Sequence, residues 1–157
     1  MAGLREVVKS VIQIWDPATG VRIKDIEIDT FIGALAYSGG GLRLAVSTWV
    51  GVKVLDTKRY DLVHEFSWDT VFSISALYLS SNGALLAFHD QAKLCIRNLD
   101  QHEYLYDPQA FSKVGISDDE GPILFSGDNQ YIALRQWNCV YVCSFTGVNH
   151  YDSNSIG

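Results

Sequence analysis

Apolar residues recur along this chain with a spacing of two, and the alternating stretches themselves recur. Val52 and Val54, Leu94 and Ile96, and Val140 and Val142 are apolar pairs, each split by one other residue. That spacing places both members of a pair on one face of a β-strand. Upstream of each pair comes an aliphatic residue followed by alanine: Leu44-Ala45, Leu86-Ala87 and Ile132-Ala133. Further upstream stand Ser38, Ser80 and Ser126, and the blocks 38–56, 80–98 and 126–144 align without a gap. Between serine and alanine lie Gly40-Gly41, Asn82-Gly83 and Asp128-Asn129, residue types that favour the positive φ of tight hairpin turns. Residues 34–37, 76–79 and 122–125 complete an apolar strand before each serine. Each block therefore predicts the end of one strand, a tight turn, a second strand, a second turn and a third strand.

The first residues fit the same frame. With Asp16 set against Asp56, Leu4 matches Leu44, and Ile12 and Ile14 match Val52 and Val54. The chain is thus expected to begin inside a repeat. Asp16, Asp56, Asn98 and Ser144 close successive blocks, with a period of about 40–45 residues. The differences in length fall between the end of a block and the next serine. Such a distribution predicts loop insertions on one side of an array.

The residues VIQIWDPATG at positions 11–20, with the dipeptide Trp15-Asp16, and the three S-x-x-x-x-x-[LI]-A stretches carry a family likeness. The chain resembles the WD40-repeat β-propeller family. The resemblance implies an all-β fold of four-stranded antiparallel blades, here an incomplete WD40-like propeller forming one domain over 1–157. A blade remnant would occupy 1–28, with repeats over about 31–66, 73–106 and 120–151. In the family the strand ending in Trp-Asp is the third of a blade, so 21–28 and 62–66 would be outer strands. The structural repeat positions are then Trp15, Asp16, Ser38, Asp56, Ser80, Asp90, Asn98, Ser126 and Ser144. Departures are numerous. Leu55, Arg97 and Cys143 replace the tryptophan, Thr48 and Gln136 replace the tight-turn aspartate kept as Asp90, and the family's Gly-His pair is missing. The family's buried Asp–His–Ser–Trp network is therefore incomplete in every repeat. The resemblance also implies a ring larger than this chain supplies. The chain is expected to be a fragment of a longer protein, a part-ring completed by a partner or second copy, or a small four-bladed ring.

Composition narrows the classes. Hydrophobic residues make up 48% and charged residues 19%, enough apolar content for a core. The formal net charge of −6 argues against a nucleic-acid-binding surface. The three cysteines, Cys95, Cys139 and Cys143, do not make a disulfide scaffold, and residues 1–15 lack the apolar core of a signal peptide. No apolar run reaches membrane-spanning length, so no membrane association is expected, and the expected location is cytoplasmic or nuclear.

Aromatic residues supply the candidate binding chemistry. Trp49 and Trp137 occupy one repeat position just after the tight-turn site, and Trp68 follows an outer strand. By the family's geometry both kinds of loop emerge on the same rim, where grouped aromatic anchors resemble a protein-binding hot spot. Packing between blades is the competing role for each indole. Asp118, Asp119 and Glu120 read as a solvated acidic loop, without the ligand spacing of a cation site. Cys139, Cys143 and His150 lack the turn-like spacing that zinc needs. No nucleophile elbow, phosphate-binding glycine loop or paired metal histidines occur. No catalytic, cofactor or metal residues are assigned.

The function expected is a non-catalytic platform binding a protein or peptide, or further blades of its own chain. Two alternatives stand beside it. One is a propeller enzyme, of the metal-dependent hydrolase or sugar dehydrogenase type, whose ligands would come from the innermost strands. Residues 34–37, 76–79 and 122–125 hold no Asp, Glu or His. The other is a sensor domain of a nucleotide-binding signalling ATPase, suggested by the Trp-Asp-x-x-Thr-Gly turn over 15–20.

Overall fold

The computed structural model describes residues 9–67, 74, 76–90, 93–105, 122–136 and 139–145, without the side chains at 90, 93, 136 and 139. Every regular element in these residues is a strand. β1 (Ser10–Trp15) and β2 (Arg22–Ile28) form a hairpin. β3 (Ile32–Tyr37), β4 (Arg43–Thr48), β5 (Gly51–Asp56) and β6 (Leu62–Ser67) form a four-stranded antiparallel sheet in chain order. β7 (Leu77–Leu79), β8 (Leu85–Asp90), β9 (Lys93–Asn98) and β10 (Glu103–Tyr104) repeat that order. β11 (Ile123–Phe125), β12 (Tyr131–Gln136) and β13 (Cys139–Ser144) form a three-stranded sheet of the same sense. The innermost strands lie side by side, with β7 next to both β3 and β11.

The sheets stack face to face, and each junction is a separate core. Ile12 and Ile28 of the first sheet meet Leu44, Val46 and Leu55 of the second. Ala45, Val52 and Val54, on the other face of that sheet, meet Leu77, Leu79, Leu86 and Phe88. Ala87, Leu94 and Ile96 then meet Ile123, Ile132 and Leu134. The spacing of two thus sends alternate residues of β4 and β5 to different neighbours. Central strands buried on both faces read as nearly continuous apolar runs, as in the sequence LAVS of β4.

The turns repeat as closely as the cores. Ser38, Ser80 and Ser126 each receive a hydrogen bond at Oγ from a backbone N–H across the turn: Arg43 at 3.1 Å, Leu85 at 2.9 Å and Tyr131 at 2.9 Å. Their carbonyls accept from Gly41, Gly83 and Asn129, whose φ values are +69°, +75° and +61°. Only the second residue of each Gly-Gly, Asn-Gly or Asp-Asn pair is left-handed, so the connection is longer than the tight hairpin expected. The reason is the serine hydroxyl, which captures N–H groups inside the loop and holds it open.

The turn after each third strand is also shared. Asp16 Oδ1 accepts from Ala18 N–H at 2.9 Å, Asp56 Oδ1 from Lys58 N–H at 2.9 Å, and Asn98 Oδ1 from Asp100 N–H at 3.0 Å. A left-handed residue follows in each case: Gly20, Tyr60 and His102. The Thr19 hydroxyl and the Ala18 N–H together hold the Asp16 carboxyl below its ordinary pKa. Trp15 lies at the end of β1, half-exposed, and Ser144 pairs with Tyr131 at the end of β13. Asp90 closes β8 opposite Lys93, but its side chain lies outside the described residues.

Ser47 is fully buried in the second sheet. Its Oγ accepts from Ala34 N–H at 2.7 Å and donates to the carbonyl of Ile74 at 2.9 Å. The register of β3 against β4 is irregular between Ile32 and Ala34, and the hydroxyl fills that irregularity.

Candidate interaction site on the rim

The turn between β4 and β5 consists of Trp49 and Val50. Thr48 holds it: the hydroxyl donates to Gly51 O at 3.0 Å and accepts from Val50 N–H at 3.3 Å. Threonine thus supplies both a side-chain donor and a side-chain acceptor at this corner. Gly51 is required by close approach, because a Cβ there would lie 2.1 Å from Phe66 O. The corner is therefore rigid, and it projects the indole outward.

Phe31, in the connection from β2 to β3, meets that indole. The two ring centroids are 4.4 Å apart with planes tilted by 34°. Trp49 is 44% exposed and Phe31 41%, so each ring packs on the other and still faces water. Val50 beside them is exposed as well. A preformed aromatic pair costs little side-chain entropy when a partner covers it.

From Val50 a groove of about 430 Å³ runs along the outer side of the first junction. Ile26, Ile28, Leu55 and Leu62 give it an apolar lining, and Tyr60 lines it as well. Glu27, Asp29 and Lys53 line its margins, where Glu27 pairs with Lys9 at 3.1 Å and Lys53 pairs with Glu65. The Tyr37 phenol, beside Tyr60, is pushed up to about 12 by burial and then by the hydrogen bond with Tyr60.

A second groove, of about 420 Å³, crosses the innermost strands. Leu77, Leu79, Tyr37, Tyr78, Leu124 and Phe125 line it, and none of its lining residues is acidic, basic or histidine.

The opposite rim is polar. The Arg43 guanidinium donates to Gly83 O at 2.9 Å and to Asp100 Oδ1 at 2.8 Å, tying the second sheet to the third. His64 lies 3.7 Å from Asp100 and edge-on to His102. Burial and then the charge of Arg43 hold the His64 pKa below its usual 6.5. Among the described residues no group of three His, Cys, Asp or Glu side chains is placed to hold a metal ion. Cys143 is half-buried in the junction facing β8 and β9, where burial raises its pKa.

The grouping of tryptophans is only partly visible. Trp49 is on the rim, whereas Trp68 and Trp137 lie outside the described residues, as do Asp118, Asp119, Glu120 and His150. Phe31 was legible in principle. It follows an outer strand, and such connections emerge on the same rim as the Trp49 turn.

No protein-family model matches the chain, and no curated protein sequence does. Solved structures do. Hydrazine synthase of Kuenenia stuttgartiensis superposes with a TM-score of 0.59 at 15% identity, over 90% of this chain and 42% of that one. A eukaryotic initiation factor superposes with a TM-score of 0.57 at 14% identity, over 76% of this chain and 31% of that one. The chain thus spans less than half the length of either neighbour. At this identity the likeness speaks to fold alone. Stacked four-stranded sheets with adjacent inner strands, shared with these neighbours, give the chain a β-propeller-type fold.

Proposed function

We propose that the protein is a non-catalytic interaction platform of the WD40-repeat type, binding a protein or peptide at the rim formed by Phe31, Trp49 and Val50. The observation that carries this reading is the exposed aromatic pair, held by the Thr48 turn and continued by an apolar groove. Large aromatic anchors beside a concave apolar surface are the usual centre of a protein-binding hot spot. A side chain such as leucine or methionine would seat in the groove while its neighbour stacks on Trp49. The innermost strands, which would supply ligands to a channel-centred enzyme, contribute only Ile, Gly, Ala, Leu, Tyr and Phe. This favours the platform over the enzyme.

The test is affinity capture on the full chain with mass spectrometry, comparing the natural protein with Phe31→Ala and Trp49→Ala. Both rings are half-exposed, so each variant should keep its melting temperature within a few degrees while losing stoichiometric partners. Unchanged capture by the double variant would refute the rim site. Metal-dependent turnover of small esters by the purified chain would refute the platform.

A further inference from the structure

The junction between the second and third sheets is closed on its outer side by charged and titratable side chains. His64, on β6, is at their centre, with its side chain 13% exposed. Four residues act on it electrostatically: Arg43 from β4, Arg97 from β9, and Asp100 and His102 from the turn after β9. The Arg97 guanidinium lies 4.4 Å from the centre of the Phe66 ring and 5.0 Å from that of Tyr104, and it donates to the Tyr104 hydroxyl at 3.4 Å. Glu103 pairs with Asn98, outside the Arg97–Tyr104 row. Glu65 pairs with Lys53, which lines the groove of the first junction.

Two features make this group intolerant of a further proton. His64 Nδ1 is buried and has no hydrogen-bond partner among the described residues. An imidazolium carries N–H on both ring nitrogens, so protonation strands a donor at that atom. On the other side of the ring, Nε2 lies 3.7 Å from Asp100, a carboxylate that already accepts from Arg43 at 2.8 Å. A charge on His64 is then the third positive charge around one carboxylate.

The first junction fills the same repeat positions differently. Ile14 and Val54 are equivalent, and their partners on the outer strands are Lys24 and His64. Four residues beyond Asp56 and Asn98 stand Tyr60 and His102. Lys24 lies over the Tyr60 ring at 5.7 Å, where His64 meets His102 at 5.4 Å. Lysine and tyrosine side chains do not change charge in mildly acidic water, and histidine does. The inner side of the second junction is held by groups that do not titrate: Gly40 N–H donates to Ser81 O at 2.8 Å, and the Ser47 hydroxyl to Ile74 O at 2.9 Å.

We propose that the outer side of the second junction is an acid-operated latch: when His64 takes up a proton, β6 parts from β9 and β10 and uncovers the Phe66 ring, while the two sheets stay joined along their inner strands. The first junction stays closed under the same conditions. The latch lies on the rim opposite Phe31 and Trp49, so it and the platform reading can fail separately.

The experiment is hydrogen exchange with mass spectrometry on the full chain, in steps from about pH 7.5 to about pH 5, with rates corrected for the intrinsic effect of pH. In the natural protein, exchange in β6 and β10 should rise about tenfold in acid, with β1, β2, β3 and β7 nearly unchanged. His64→Gln cannot take the proton and should keep its neutral protection throughout. His102→Asn should keep the acid response, since asparagine accepts the positive φ of that turn position. Trp49→Ala should respond like the natural protein. The His64 ring of the natural protein, followed by nuclear magnetic resonance, should titrate below pH 6.5 with the midpoint of the exchange change. The proposal is overturned by exchange in β6 and β10 that ignores pH, by a rise shared equally among all sheets, or by a response that survives His64→Gln. Loss of the response in His102→Asn, or a His64 midpoint apart from that of exchange, overturns it as well.

Discussion

Single side chains decide where this fold tolerates change. Ser47 satisfies two backbone groups at once, the Ala34 N–H and the Ile74 carbonyl. Its replacement by alanine strands both in a site closed to water. Ser47→Ala should therefore cost about 1–3 kcal/mol, read as a lower urea midpoint at unchanged slope. A shift no larger than that of an exposed serine variant would contradict the assignment. The sequence did not mark Ser47, because a hydroxyl between Val46 and Thr48 looks like any strand residue. Its role appears only once the β3 irregularity brings a free N–H to it. Ser38, Ser80 and Ser126 were legible for the opposite reason: a turn hydroxyl acts on its own near neighbours, so its signal recurs in the sequence.

At the scale of strands and turns, the tie between the second and third sheets is the most sensitive to conditions. Arg43 spans it, and His64 packs beside the same Asp100 carboxylate. Because the His64 pKa is lowered in the folded chain, the unfolded chain takes up a proton first as pH falls. Stability from this group is complete above an unfolded value of about 6.5 and declines as pH drops through the lowered folded value. The natural protein should thus lose more melting temperature than His64→Gln on going from about pH 7.5 to about pH 5.5. Equal losses would remove His64 as the cause. The strands themselves were legible from the spacing of two, since β4 and β5, β8 and β9, and β12 and β13 follow the apolar pairs. Phe31 was legible as a rim residue, since it follows an outer strand, but its stacking on Trp49 was not, because the two rings meet across a junction that no local pattern encodes.

Across the whole molecule, stability runs from neighbour to neighbour, as in repeat proteins generally. Phe88 is the largest fully buried side chain among the described residues and lies in the core joining the second sheet to the third. Phe88→Ala should cost about 3–5 kcal/mol. Hydrogen exchange should show the loss concentrated in β3–β9, with β1 and β2 protected nearly as before. Uniform loss in every sheet would argue instead for one indivisible cooperative unit. The Thr48 turn adds a consequence of its own. A hydroxyl does not titrate where a carboxylate would, so the corner beneath Trp49 keeps its shape in acid. Acidification therefore reaches the Arg43 rim through His64, whereas the turn beneath Trp49 is closed by a group that has no proton to gain in that range.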